Sequence, residues 1–292
     1  MLPLASFDEA KFKRSLCYNV TSSAETVLTD MDFLRQFDIE QEKKSRLWLG
    51  VGWLGIVGIV IGAACFFGMQ SVVLGGAAGV LGLVTAIAGF SVRAIHGRLD
   101  LDDRRYEVVA GLLRLLSKDM ADDAPVTVAL DFQPHNHKKK LQRKGKVGYW
   151  NVQFFVDGWL TMQGRFLDGT KYTVTLIEKQ QDRHRTKRSA SGKTKHKHKT
   201  KNSSEAIISL KIKEKRYPQA QELYKTLNET LKLPSWVELK SVVAEGDVLT
   251  LRTTSRVTWD APGPGEKAAA RDGINWMAMM FLSLYRFLNN SK

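Results

Sequence analysis

The chain has 292 residues, a formal net charge of +14, 43% hydrophobic residues and two cysteines. Cys17 and Cys65 stand far apart in sequence, so no disulfide framework is implied and a reducing cytoplasm is compatible. A uniformly basic surface is excluded, because the excess charge sits in two short stretches: Lys138 to Lys146 carries +6 and Lys179 to Lys201 carries +9, so the remainder is close to neutral.

Residues 1–46 read as a polar, helical N-terminal segment on the cytoplasmic side, without targeting character. Ser22 to Glu25 resembles a capping box, and Leu28, Met31 and Leu34 are the inward positions of the helix it opens. From Leu47 to Val92 no residue is charged, and Gln70-Ser71 is the one strongly polar interruption, near the midpoint. At ~1.5 Å per residue each half reaches about 33 Å, enough for a hydrocarbon core of roughly 30 Å. Residues 47–92 are therefore predicted to form a transmembrane helical hairpin. The alternative is a buried hairpin in a soluble protein, but such helices rarely stay free of charge on every face for so long.

Basic residues near span ends favour the cytoplasmic side. Lys43, Lys44 and Arg46 precede the first span, and Arg93, Arg98, Arg104 and Arg105 follow the second. The expectation is an integral membrane protein with both termini cytoplasmic, in the inner membrane if the cell is bacterial, and with a tight turn at Met69 to Ser71 on the far side. Each span carries a seam of small residues: Gly55, Gly58, Gly62 and Cys65 in the first, and Gly75, Gly79, Gly82, Ala86 and Gly89 in the second. In lipid, close backbone approach at such residues holds helices together. The two seams are expected to pack on each other; a homo-oligomer or pore built from surplus glycine faces is the sharper alternative. No ionisable residue lines either span, which disfavours an ion pathway.

Residues 93–121 follow a helical repeat through Ile95, Leu99, Tyr106, Val109, Leu113, Leu116 and Met120, predicting that the second membrane helix continues as an amphipathic juxtamembrane stalk. Residues 122–261 read as a cytoplasmic, mainly antiparallel sheet domain. Val126 to Phe132 and Trp150 to Val156 alternate with period two. Asp157-Gly158 and Asp168-Gly169 mark tight turns, and strands near 160–166, 172–179 and 206–215 complete a five-stranded meander. A helix opened by Pro218, with Ala220, Leu223, Leu227 and Leu231 as its apolar stripe, leads to two strands at 236–243 and 248–259. A Pro-Gly break then precedes a C-terminal helix in 266–292, too short to span a bilayer and expected to pack in the core. The fold class is α+β.

Two basic loops interrupt the sheet, at 134–147 and 179–204. The second is of low complexity and is expected to be mobile until bound. The predicted anion-binding residues are Lys138, Lys139, Lys140, Arg143, Lys144, Lys146, Arg183, Arg185, Lys187, Arg188, Lys193, Lys195, Lys197, Lys199 and Lys201. Anionic lipid headgroups, nucleic acid and an acidic protein are the candidate partners. A simple meander sends the two loops out of opposite ends of the sheet, so a single cationic site is not expected.

No catalytic residue, metal or cofactor is assigned. Gly192-Lys193-Thr194 imitates the end of a phosphate-binding loop, but Lys187 stands where that motif requires glycine. His135 with His137, and His196 with His198, are H-x-H pairs set among lysines that oppose a metal cation; they add charge as pH falls toward 6. Asp157 and Asp168 are turn residues before they are general bases. The functional expectation is a membrane-anchored, non-catalytic adaptor or scaffold whose basic loops bind an anionic surface.

Overall fold

The computed structural model describes residues 6–68, 72–188, 191–213, 216–217 and 231–290. The chain is α+β, with two long apolar helices and a mainly antiparallel sheet. It divides into two compact units, one covering Asp32–Asp102 and the other Leu4–Met31 with Asp103–Lys292. The expected turn at Met69 to Ser71 and most of the expected Pro218 helix lie outside the described residues.

The first unit is a pair of helices. Helix α2 (Ala24–Gly68) runs unbroken for 45 residues, and α3 (Val72–Arg98) for 27; a short α1 (Glu9–Ser15) precedes both. Both long helices are apolar and long enough to cross a membrane, and only 17% and 22% of their most apolar windows is buried. Small residues set their contact. A Cβ on Gly55 would stand 2.3 Å from the Ala86 amide nitrogen, and one on Gly82 2.5 Å from that of Ile59. Gly62 and Gly89 are equally confined, by Gly79 and Gly52. The Cβ directions of Gly76 and Gly79 are open.

Two features of this region differ from the sequence reading. The cap of α2 lies one residue later than the capping-box pattern places it, since the Thr26 amide donates to Ser23 Oγ at 3.3 Å. The expected continuous stalk is also interrupted. Helix α3 ends at Arg98, the Leu101 amide donates to the buried Asp38 carboxylate at 2.7 Å, and a separate helix, α4 (Asp103–Leu116), begins in the other unit. An aspartate that satisfies an otherwise orphaned amide at the break explains why the periodicity of 93–121 did not become one helix.

Among the described residues the second unit is built on a sheet of eight strands: β1 (Cys17–Ser23), β2 (Pro125–Asp131), β3 (Leu141–Val147), β4 (Trp150–Arg165), β5 (Lys171–Arg188), β6 (Thr194–Lys211), β7 (Glu238–Glu245) and β8 (Val248–Ser255). Their order is β1-β2-β4-β5-β6-β8-β7, with β3 on the outer half of β4. Residues 17–23, read as part of a helical segment, form the edge strand β1, paired to β2 from Cys17 with Asp131 to Ser23 with Pro125. One face is buried by Val128, Leu160, Val174, Ile208 and Leu251 against α4 and a final helix, α5 (Gly273–Asn290). A Cβ on Gly111 would lie 2.3 Å from Ile274 Cδ1, so α4 and α5 meet closely there. Trp259 and Trp276 satisfy their indole N–H groups on Ser204 Oγ and Thr253 Oγ1, at 2.8 and 2.9 Å, which lets large amphipathic rings sit fully inside.

Candidate anionic-surface interface

The predicted turn at Asp157-Gly158 is absent. Strand β4 passes straight through it as one strand of 16 residues, with a bulge between Gly158 and Leu160. The Asp157 carboxylate is buried, with Arg105 Nη2 at 2.9 Å from Oδ2. Lys140 Nζ lies 2.9 Å from Oδ1, though off hydrogen-bonding geometry. Lys140 also donates to the Gln133 carbonyl at 2.6 Å and pairs with Asp131 at 3.1 Å. Lys140 is therefore a structural cation that pins the 134–147 segment to the sheet, and its assignment to the anion-binding set is corrected. In the same network the Cys17 thiol is pushed up, by burial first and by the Asp131 carboxylate second, which leaves it a poor nucleophile.

Losing one turn changes the parity of the sheet. Asn151 near the start of β4 pairs with His184 near the end of β5, so the β3–β4 and β5–β6 connections leave the same end. The expectation of opposite ends is overturned. The second basic stretch is not a loop either: β5 and β6 pair without interruption from Lys171 with Lys211 to Arg188 with Thr194, making a hairpin arm of two 18-residue strands. The run from Thr194 to Lys201 alternates Thr or His with Lys, which is a period-two pattern written in charge.

Register and alternation sort the side chains. One face of the arm presents Lys179, Arg183, Arg185 and Lys187 on β5, with Lys195, Lys197, Lys199 and Lys201 on β6. Three successive cross-strand pairs on it are like-charged: Arg183 with Lys199, Arg185 with Lys197, and Lys187 with Lys195. Such pairs repel. Arg143, Val152, Phe154 and Trp150 continue this face onto β3 and β4. Arg185 lies over the Trp150 ring at 4.7 Å and Arg143 over Phe154 at 4.3 Å, and Gln181 Oε1 accepts from Arg183 Nη2 at 2.5 Å.

The reverse face is mixed. It holds Lys144 and Lys146 beside Gln153 and Asn151, then Asp182, Thr186, Arg188 and Thr194. His184 stacks on His198 with centroids 6.4 Å apart, His135 Nε2 lies 3.3 Å from Asp182 Oδ2, and His196 contacts Thr186. Among the described residues, no group of three or more His, Cys, Asp or Glu side chains is placed to hold a metal ion. Lys138 and Lys139 are exposed in a single 3-10 turn, and Lys193 lies in the arm's tip turn.

At the base of the arm Glu205 is buried and gathers Lys179, Lys240 and Arg252 at 2.6, 2.8 and 3.3 Å. Burial alone raises its carboxyl pKa, but hydrogen bonds from Lys179 and Lys240 outweigh this and hold it below the ordinary value. Sequence reasoning missed this residue. A lone acid opening an apolar run, Glu205 before Ala206, Ile207 and Ile208, is the only local signal.

No protein family, curated protein or solved structure matches the chain.

Proposed function

We propose that this protein is a membrane-anchored, non-catalytic adaptor or scaffold: the helical pair lies in a bilayer, and the sheet unit offers a cationic arm to an anionic surface. The observation that carries the reading is the face shared by eight Lys and Arg side chains, three of whose cross-strand pairs are like-charged. Such an arrangement is electrostatically unfavourable alone and is relieved by an anionic partner. Membrane insertion is supported by the 46 uncharged residues and by large apolar side chains such as Leu54, Phe67 and Val73 that stand 69, 80 and 80% exposed. Exposed patches of that extent on a monomer mark an interaction with lipid or protein.

The test is retention of the intact protein, held in neutral detergent, on an immobilised polyanion such as heparin. Retention that falls with salt and is lost when Lys195, Lys197, Lys199 and Lys201 become Gln supports the reading; retention that ignores the substitutions removes it. The second reading is a homo-oligomeric membrane complex or pore. The open Cβ directions of Gly76 and Gly79 favour it, because side chains there would point away from α2, although the Gly79 backbone itself lies against Gly62.

A further inference from the structure

We propose that the occupant of the arm's cationic face is the phosphate headgroup layer of an anionic lipid bilayer, with Tyr149 seated at its interfacial level. This deepens the anionic-surface reading and rests on it.

Three observations favour lipid over nucleic acid. The first is one-sidedness. In the paired registers 179–201 eight of the arm's nine Lys and Arg side chains share a face, and the reverse face carries the ninth, Arg188, and Asp182 together with His and Thr. A planar layer of phosphates engages one face of such a ribbon, and the bilayer proposed for the helical pair is the anionic layer nearest to this chain. From Lys195 to Lys201 the strand spans about 20 Å at roughly 3.3 Å per residue, so the charges meet several headgroups at once.

The second observation concerns the rings. On that face Phe154 lies under the Arg143 guanidinium group and Trp150 under that of Arg185, so the open ring beside them is Tyr149 in the adjoining turn and not a track of rings along which successive bases stack. The same stacking holds two guanidinium groups ready for phosphate oxygens. The third is the neighbouring turn. Gly148, at φ +57, lets the β3–β4 connection turn tightly and leaves Tyr149 90% exposed, next to Val147, 40% exposed and on the cationic face. An exposed tyrosine beside a field of lysines is the pattern of a residue held where headgroups meet acyl chains.

The experiment uses the full chain in phosphatidylcholine nanodiscs. Its association is measured with phosphatidylcholine vesicles that contain or lack phosphatidylserine, with duplex DNA, and with a free inositol phosphate. Association with the phosphatidylserine vesicles alone is expected, and K195Q/K197Q/K199Q/K201Q should lower it several hundredfold, from about fivefold per lysine. K144Q/K146Q on the reverse face should lower it no more than a few-fold. Tyr149→Ser should weaken it several-fold without altering its salt dependence.

Binding to DNA but not to vesicles overturns the lipid inference and leaves the anionic-surface reading standing. Binding to no anion overturns both. Equal losses from the two lysine sets overturn the assignment of a face. Should the quadruple variant fail to fold, K195R/K197R/K199R/K201R must retain binding, and its loss counts against the proposal.

Discussion

In the Asp32–Asp102 unit the tightest contacts are made by Gly55, Gly62, Gly82 and Gly89, while Leu54, Phe67 and Val73 point outward. In the sheet unit Trp159, Trp276, Tyr172 and Leu160 are buried, and the outer face of the same strands carries Thr127, Thr173, Ser209 and Thr250. The two units thus place small and large residues in inverted positions. Burying large side chains is what the hydrophobic effect rewards in water. Packing glycine against backbone and turning leucine outward is what remains when the surroundings are already apolar. The contrast supports the proposed bilayer setting of the helical pair beyond what hydropathy offers, because it concerns which residues touch and not only which are present.

The largest expected effect lies in the sheet unit. Asp157→Asn removes the buried carboxylate that Arg105 and Lys140 share, leaving Asp131 beside Lys140 and Glu178 4.0 Å from Arg105, and should destabilise the fold by about 3 kcal/mol, read as a lowered thermal midpoint. The next compares two glycines three residues apart on α3. Gly82→Leu drives a side chain into the α2 backbone and should cost the helical pair about 1–3 kcal/mol in detergent unfolding, whereas Gly79→Leu points into open space and should leave the pair intact. If Gly79→Leu changes the mass of the particle in detergent, the outward glycines join protomers. Equal damage from both would erase the distinction between seam and outer surface.

The smallest effect concerns Glu205. Its carboxyl titrates below the ordinary 4.5 in the folded protein, so its contribution to stability is complete above that value and is lost as pH falls through the lower folded value. The contribution is about 1 kcal/mol, since its lysine and arginine partners are more than a third exposed and screened by solvent. Thermal midpoints followed downward from pH 5 should drop in the wild type, and Glu205→Gln should flatten that last decline.

Much of this was legible in the residues. The uncharged run, its small-residue seams, the α+β class and the Asp168-Gly169 turn, where Gly169 has φ +86, all follow from local pattern. What local pattern could not supply was a long-range partner. Asp157-Gly158 carries a turn signature, yet the carboxylate that would have capped a turn is taken by Arg105, 52 residues earlier, and by Lys140. That one substitution of partner reversed the parity of the sheet and moved two basic segments from opposite ends to the same end. The arm was hidden for a different reason. Period-two alternation is sought in hydrophobicity, and between Thr194 and Lys201 it is written in lysine against threonine and histidine. Edge strand β1 is as long as β2 but was hidden because Tyr18 is its one buried side chain, which leaves little apolar alternation to read.

The inside-out helical pair is proposed to lie in a bilayer, and alkaline carbonate extraction of native membranes tests this directly. The intact protein should stay with the membrane pellet along with its sheet unit. Release into the supernatant, as a peripheral protein is released, would contradict it.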